Sequence, residues 1–425
     1  MRKLSLLVMI LLMVGAGAAV AQDEPITIDL WHIQSTGDGP QLIQQAADRY
    51  MADNPHVTVE VVPMQNDPYK TRILTAMGAG DPPCIFISWG GGPLYEYVQA
   101  NQVVDLTDYM TADNYTEHFL PASLSNATFD GRIYGVPVEN TAIAVLFYNK
   151  AIFEEYGLEP PETWDELLTI VDTLVENGIA PFSLANRTKW PSSMYYMYLV
   201  DRIAGPEVFA SAANRTGETF THPAFVQAGE MIQDLVNRGG FIEGFNGLDY
   251  DTGQSRMPIY ANQAAMTLMG SWELGNFLSE NPDFYENDLG FFPFPAVEGG
   301  EGNPTNVVGT VGDNYYHIST ACEHPDEAFE LIQYLIDDES VALRIESGRI
   351  PPVAGVAELL EDPIQQEIMR MVEAAESVQL WYDQYLPPEL GEVHKDLMQA
   401  LFAGEITPEE QAEQMEAAVA EYFGA

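Results

Sequence analysis

The N-terminal part of the chain alternates between two hydrophobic patterns. Apolar residues at every second position, or in short continuous runs, predict strands at 26–33, 57–62 and 84–89, and apolar residues spaced three to four apart predict helices at 40–54 and 69–77. Strands alternating with helices favour a mainly parallel sheet covered on both faces. Ligands of such α/β sheets bind beyond the carboxyl ends of the strands, here residues 31–34 and 89–91.

Helix-start signals extend this α/β pattern along the chain. Thr163 and Glu166 have the spacing of a capping box before an amphipathic run. Thr407 and Glu410 repeat that spacing, with Pro408 at the first helical position, before the C-terminal helix. The sequence therefore predicts an α/β fold with a helix-rich C-terminus.

The first residues have the three-part pattern of a secretory signal peptide. Arg2 and Lys3 precede an uncharged apolar run, Leu4 to Val14, and small residues end at Ala21. We expect residues 1–21 to be removed on secretion; the alternative is a buried N-terminal helix. Because no cysteine follows the apolar run, we expect a periplasmic or otherwise extracytoplasmic protein without a lipid anchor.

Composition narrows the class of protein. The 425 residues are 46% hydrophobic, enough to bury a large core, and the length favours two lobes. A formal net charge of -47 repels nucleic acid and anionic lipid headgroups, so we expect neither as a partner. Two cysteines, Cys84 and Cys322, cannot form a disulfide framework, and the sequence leaves open whether they pair.

Motifs for catalysis, cofactors and metals are incomplete in this sequence. The segment 78–83 begins like a dinucleotide-binding loop, but proline replaces its third glycine and a strand follows it. Asp249 to Gly253 resembles the start of a calcium loop, but position twelve is Tyr260 rather than glutamate. The seven histidines have no zinc-ligand spacing. We expect no cofactor, no metal and no enzymatic activity, although a carboxylate pair for glycoside hydrolysis stays open among 64 acidic residues.

Tryptophans in polar loops are the strongest chemical signal. Trp89 precedes three glycines, and Trp190, Trp272 and Trp381 also lie beside glycine, proline or charged residues. A sugar ring favours an aromatic plane for its C–H face, with amides and carboxylates around its hydroxyl rim. Each tryptophan taken alone is more typical of a core. The set favours a carbohydrate-binding site, with Gly90 to Gly92 leaving room beside Trp89 for a pyranose ring.

Several motifs occur in an order that identifies a family. They are Tyr69 to Met77 running into Gly80 to Pro83, Asp130 to Pro137, Leu146 to Lys150, Pro161 to Leu167, Ala265 to Trp272, and the C-terminal segment LPPELGEVHKDLMQALFAGEITPEEQ. The whole chain after the signal peptide resembles extracellular solute-binding protein family 1, the carbohydrate receptors of bacterial ABC transporters. Within that family it looks most like the receptors for xylobiose- and raffinose-type oligosaccharides.

The resemblance implies a two-lobed periplasmic-binding-protein fold of type II. Lobe one would comprise 22–137 plus 311–350 and lobe two 141–308 plus 352–425, with a hinge of several crossing segments. The protein would be a monomer that captures a neutral oligosaccharide between the lobes and delivers it to the transmembrane permease subunits. Alternatives are a secreted glycoside hydrolase, or the same fold binding a polyamine or a peptide.

The resemblance also implies the residues of the site. Stacking would come from Trp89, Trp272 and Trp190, and hydrogen-bond acceptors would be Glu139 and Asp383. Trp381 and the strand-end residues Trp31, His32 and Gln34 complete the expected set. Other roles remain open for some of them: Glu139 as a hinge ion pair, Asp383 as a turn former, and Trp31 and His32 as core residues.

Overall fold

A computed structural model describes residues 25–424, so the predicted signal peptide lies outside the described residues. Within 25–424, no helix combines the length and the apolar character that crossing a membrane requires.

The described residues form a mixed α/β fold. Its strands are β1 (Ile26–His32), β2 (Val57–Pro63), β3 (Ile85–Ser88), β4 (Thr128–Phe129), β5 (Arg132–Ile133), β6 (Val136–Asn149), β7 (Ala180–Phe182), β8 (Ala264–Gly270), β9 (Leu289–Phe292), β10 (Val307–Ile318) and β11 (Val378–Gln379).

Helices surround these strands. They are α1 (Gly39–Asp53), α2 (Asn66–Ala79), α3 (Gly91–Gln99), α4 (Thr107–Thr111), α5 (Lys150–Tyr156), α6 (Trp164–Glu176), α7 (Trp190–Ala204), α8 (Glu207–Ala213), α9 (Pro223–Asn237), α10 (Met257–Tyr260), α11 (Glu273–Glu280), α12 (Pro282–Asn287), α13 (Pro325–Leu335), α14 (Asp338–Glu346), α15 (Val356–Leu359), α16 (Pro363–Ala374), α17 (Tyr382–Tyr385), α18 (Pro388–Ala403) and α19 (Pro408–Phe423). Short 3₁₀ helices cover Ala112–His118, Pro121–Ala127, Asn186–Thr188 and Phe245–Gly247.

Local patterns explain where the elements begin and which face they bury. The three predicted strands and two predicted helices at the N-terminus are present as β1, β2, β3, α1 and α2. Helix α1 buries Ile43, Ala46, Ala47 and Tyr50, the spacing of one helical face. Both predicted capping boxes are formed, before α6 and before α19, and each satisfies backbone N–H groups that the first helical turn leaves unpaired.

The main sheet is more antiparallel than the sequence pattern predicts. Its strand order is β2-β1-β3-β10-β6-β8-β7, with β9 beside β6 and β11 beside β10. The N-terminal strands β2, β1 and β3 are parallel as expected, but β10 pairs antiparallel with both β3 and β6, and β6 pairs antiparallel with β8 and β9. The expectation of a mainly parallel sheet was wrong: β7 pairs parallel with β8 and β11 with β10, but the long strands β6 and β10 insert antiparallel to their other neighbours and make the sheet mixed.

Strands β6 and β10 join the two lobes. One end of each pairs in the half of the sheet that holds β3, and the other end lies in the half that holds β8 and β9. Their pairing shifts register around Asp313, beside Gly312 and Asn314, which both have positive φ. Such a bulge bends a strand and re-aims its side chains. Because the sheet is continuous through this point, the exact lobe boundaries given above stay a prediction.

A disulfide bond joins Cys84, just before β3, to Cys322, just after β10, across 238 residues of sequence. Disulfides persist in oxidising, extracytoplasmic compartments.

Replacing both cysteines with serine is expected to lower the free energy of unfolding by about 2–4 kcal/mol, because the unfolded chain gains conformational freedom. Urea unfolding with and without a reducing agent measures this. Reductant should destabilise the wild type to the level of the double variant and leave that variant unchanged; equal stability of all four samples would contradict the prediction.

Candidate ligand-binding cavity

A cavity opens between the lobes, beyond the ends of β1 and β3 and beside the bulge in β10. The empty space between its walls, including the part open to solvent, is about 1010 Å³. It is lined by Ile33, Gln34, Ser35, Thr36, Asn66, Lys70, Trp89, Asn140, Trp190, Met194, Met197, Tyr250, Asp251, Trp272, Asn276, Asp313, Asn314, Arg349, Trp381, Asp383 and Gln384.

Four aromatic rings form one wall of this cavity. Trp272 lies edge-to-face against Trp190 at 5.9 Å and against Trp381 at 5.6 Å between ring centroids. Trp190 also contacts Tyr250, with ring centroids 4.7 Å apart. Edge-to-face contacts are favourable for aromatic quadrupoles and fix the ring planes relative to one another. The wall is therefore a rigid aromatic surface assembled from four separate stretches of chain.

A buried hydrogen-bond network holds Trp272 in place. Its Nε1 donates to the Tyr250 hydroxyl at 2.9 Å, and that hydroxyl donates to the Glu273 carboxylate at 2.7 Å. Asn276 donates to the same carboxylate at 2.9 Å, and Arg256 forms an ion pair with it. Burial and the neighbouring Glu273 raise the pKa of Tyr250 well above its usual range, which keeps the hydroxyl protonated as a donor. Networks satisfied in this way rigidify a site.

Trp89 lines the same cavity from the end of β3. Its ring packs edge-to-face on Tyr69, with centroids 6.1 Å apart. The Lys70 ammonium lies 4.7 Å from the centroid of the Trp89 ring, within the range of a cation–π contact. A carboxylate oxygen of Asp383 lies 3.9 Å from the Lys70 nitrogen. A cation thus already contacts the tryptophan that was expected to stack on a ligand.

The junction of β6 and β10 contributes polar groups to the cavity. Asn140 accepts a hydrogen bond from Ile350 N at 3.1 Å and has its amide nitrogen left for other partners. Burial raises the pKa of Asp313 to about 7, although its hydrogen bond from Asn314 N works in the opposite direction. Among residues 25–424, the buried atoms Trp190 Nε1, Asn314 Oδ1 and Gln384 Oε1 have no protein hydrogen-bond partner.

The glycines after Trp89 do not leave space for a ligand. A Cβ on Gly91 would overlap the carbonyl oxygen of Gln384, and a Cβ on Gly92 would overlap that of Leu386. The expectation that these glycines leave room for a pyranose is wrong, because protein backbone fills the space that their missing side chains would occupy. Their role is to let the first turn of α3 approach the segment 384–387 closely.

Substituting Gly91 with alanine is therefore expected to destabilise the fold by more than 1 kcal/mol, since its φ of +57° and the Gln384 carbonyl both disfavour a side chain. Thermal unfolding measures the change. Gly78→Ala is the matched control, because nothing lies within 4 Å of a Cβ there and the site is inside helix α2. An alanine at Gly91 that is tolerated as well as the one at Gly78 would refute the close-approach interpretation.

The structure brings six of the nine predicted site residues to the cavity: Gln34, Trp89, Trp190, Trp272, Trp381 and Asp383. The other three lie outside its wall. Glu139 is fully buried, forms an ion pair with Arg344 and accepts a hydrogen bond from Tyr316 at 3.0 Å. It forms the ion pair that the sequence left open, and both carboxylate oxygens are occupied by protein donors, whereas its place in a hinge stays a prediction.

His32 and Trp31 are likewise engaged by the protein. His32 is fully buried, its Nδ1 accepts a hydrogen bond from Gln34 N at 3.1 Å, and burial lowers its pKa to about 4. The Arg72 guanidinium lies 4.1 Å above the Trp31 ring. The cavity is instead lined by Ile33 and Gln34, which follow the end of β1 at His32.

The sequence analysis did not identify several residues that line the cavity. Tyr250 and Asp251 were considered only as part of an incomplete calcium loop. Asp313 and Asn314 carry a signal that was overlooked: they are polar residues inside an otherwise apolar strand. Lys70 was quoted as part of a family motif, but its position on α2 gives no hint that it reaches the cavity. Within the described part of the chain, no group of three or more His, Cys, Asp or Glu residues is placed to hold a metal ion.

A cleft between two α/β lobes joined by long shared strands defines a bilobal binding protein. The model of the bacterial extracellular solute-binding protein family matches residues 34–342. The chain belongs to this family. It is 26% identical over 361 residues to the multiple sugar-binding protein of Streptococcus mutans, covering 82% of this chain and 80% of that protein. It is 24% identical over 360 residues to an uncharacterised ABC transporter extracellular-binding protein of Pyrococcus horikoshii, covering 82% and 77%.

Solved structures show the same fold. One comes from a study of xylan utilisation by the thermophilic bacterium Caldanaerobius polysaccharolyticus, with a TM-score of 0.85, 30% identity, and coverage of 92% of this chain and 99% of that chain. A chitin oligosaccharide binding protein has a TM-score of 0.85 at 24% identity, with coverage of 94% and 100%. The family and these neighbours confirm the expected two-lobed fold and the assignment to the extracellular solute-binding proteins.

Proposed function

We propose that the protein is the substrate-binding component of an ABC transporter and captures a neutral oligosaccharide in the inter-lobe cavity. The observation that carries this proposal is a single cavity lined both by the rigid aromatic wall of Trp190, Tyr250, Trp272 and Trp381 and by amide and carboxylate side chains. Aromatic planes suit the C–H faces of sugar rings, and the amides and carboxylates suit their hydroxyls. A sugar both donates and accepts hydrogen bonds, which matches the amide and carboxylate side chains that line the same cavity, among them Asn140, Asn276 and Asp383.

The relatives support a sugar ligand over other solutes. The Streptococcus mutans relative is a multiple sugar-binding protein, and the structure at 30% identity comes from work on xylan utilisation. We therefore place xylo-oligosaccharides first among the candidates. The family is one of extracellular solute-binding proteins, which supports an extracytoplasmic location and a permease as the partner.

Binding would act through closure of the two lobes. A ligand that contacts both walls favours the closed arrangement only by its differential affinity for that state. The bulge at Gly312 to Asn314 lies where β6 and β10 pass between the lobes, and a few residues with unusual backbone angles are enough to absorb a hinge rotation. In this proposal a monomer delivers the closed, loaded form to the transmembrane subunits of the permease.

A polyamine is the second candidate, because Asp251, Asp313 and Asp383 give the cavity an excess of carboxylates. A glycoside hydrolase would use two carboxylates flanking the scissile bond and would consume its ligand. The polyamine receptor would differ from the proposed receptor in which ligand it binds, and the hydrolase in what it does to an oligosaccharide.

Isothermal titration calorimetry against xylo-oligosaccharides, chito-oligosaccharides and raffinose tests the proposal, with spermidine and a tripeptide as comparisons. We expect one of the oligosaccharides to bind with one-to-one stoichiometry and to be recovered intact after prolonged incubation. Tight binding of spermidine alone would favour the polyamine candidate. Shortened saccharides in the incubation would favour the hydrolase. Binding of none of the sugars would overturn the proposed function.

A further inference from the structure

Lys70 places a positive charge inside the cavity of an acidic protein. It lies on helix α2, and its side chain is 26% exposed. Its ammonium contacts the Trp89 ring at 4.7 Å and lies 3.9 Å from a carboxylate oxygen of Asp383. Burial lowers the pKa of Lys70, as does the nearby Lys395, whereas Asp383 opposes both effects by favouring the charged form. The ammonium therefore occupies the two features, an aromatic face and a carboxylate, that recognise a cation in proteins.

Lys70 also acts on the other carboxylates of the cavity. Burial raises the pKa of Asp251 to about 6 and that of Asp313 to about 7, and Lys70 opposes the rise at both groups. Arg349, the second cationic side chain that lines the cavity, already forms an ion pair with Asp38 at 2.8 Å. Without Lys70 the cavity would hold three carboxylates and an open face of Trp89. Such a cavity would suit a ligand that carries ammonium groups.

We propose that Lys70 is a specificity-determining residue that excludes cationic ligands from the cavity. Its ammonium takes the place that a ligand ammonium would take between Trp89 and Asp383, and it repels a second cation nearby. A neutral sugar does not compete for the position of the Lys70 ammonium and can still contact the aromatic wall of Trp190, Tyr250, Trp272 and Trp381. Discrimination of this kind depends on a repulsive element against the wrong ligand as well as on attraction for the right one. The part of this inference that concerns neutral sugars rests on the proposed function; the exclusion of cations does not.

The test measures the affinity of two cationic ligands for the wild type and for Lys70→Gln. The ligands are spermidine and a glucosamine disaccharide that carries two free amines. Glutamine keeps a polar side chain of similar reach and removes the charge. We expect the affinity of the variant for both cations to rise about tenfold or more, because one repelling charge is removed and the Trp89 face is opened. The N-acetylated disaccharide, which is neutral, should change much less.

Two further variants separate the local effect from other causes. Lys150→Gln removes the same charge from an exposed position at the start of α5, outside the cavity wall, and should leave cation affinity unchanged. Lys70→Arg keeps the charge at the site and should continue to exclude cations. Thermal unfolding of each variant confirms that the comparison is made between folded proteins. Where Lys70→Gln unfolds, Lys70→Met supplies a second uncharged side chain and should show the same gain in cation affinity.

Each result of these titrations either supports or overturns the proposed exclusion of cations by Lys70. Cation binding that appears in Lys70→Gln and is absent from the wild type, Lys70→Arg and Lys150→Gln supports the exclusion role. Equal cation affinity in the wild type and Lys70→Gln overturns it, as does a gain of equal size in Lys150→Gln or Lys70→Arg. Failure of every neutral sugar to bind the wild type would overturn the proposed function alone, because the cation comparison is made independently.

Discussion

Replacing Glu139 with glutamine is expected to lower the free energy of unfolding by about 3–5 kcal/mol, the range for removing one partner of a buried ion pair. Glu139 and Arg344 are both buried, at 0% and 1% side-chain exposure. The substitution leaves the Arg344 guanidinium charged and without its carboxylate in the interior. Chemical denaturation monitored by circular dichroism measures the loss.

Glu367→Gln is the matched control for this prediction. It removes a carboxylate from the exposed pair between Glu367 and Arg370, where solvent screening limits the expected change to less than about 1 kcal/mol. Sugar affinity gives a second, independent measurement. Because Glu139 lies outside the cavity wall, folded Glu139→Gln should bind ligand nearly as well as the wild type. A large loss of affinity at unchanged stability would return Glu139 to the role of a ligand-contacting residue.

Truncating Trp272 to alanine is expected to weaken oligosaccharide binding by about 3–4 kcal/mol, a loss of roughly two to three orders of magnitude, as for a central aromatic hot spot. Trp272 is the middle ring of the wall and contacts both Trp190 and Trp381. Its removal takes away its own stacking surface and also the lateral support of its neighbours. Calorimetric titration with the best ligand of the panel measures the change.

Trp31→Ala controls for a general effect of losing an indole. Trp31 also ends a strand near the cleft, but Arg72 covers its ring and it does not line the cavity. Affinity should change less than threefold in this variant, within about 0.7 kcal/mol. Equal losses in the two variants would show that the aromatic wall is not the binding surface.

Much of the local structure follows from short-range patterns. The strands β1 to β3, the helices α1 and α2, and the capping boxes before α6 and α19 are all encoded by hydrophobic spacing and helix-start residues within a few positions. The tryptophans in polar loops were also sufficient to select four of the side chains that line the cavity. These features need no knowledge of distant contacts.

Other features depend on which distant segments meet. Glu139 and Asp383 were both expected to accept hydrogen bonds from a ligand, but their surroundings differ. Arg344 and Tyr316 enclose Glu139, whereas Asp383 lines the cavity near Lys70. The glycines after Trp89 suggest open space in the sequence, but the segment 384–387 packs against Gly91 and Gly92, and Asn126 packs against Gly90. A one-dimensional pattern cannot distinguish these cases, because the partners are up to several hundred residues away.

The sequence by itself determined the α/β class through alternating strands and helix caps, and its ordered motifs carried the resemblance that implies an extracytoplasmic binding protein. Only the tertiary structure decided the composition of the cavity, the antiparallel insertion of β6 and β10, the Cys84–Cys322 disulfide and the place of Lys70 on Trp89. The physical reason is that secondary structure and family motifs depend on neighbours in sequence, whereas burial and charge pairing depend on neighbours in space.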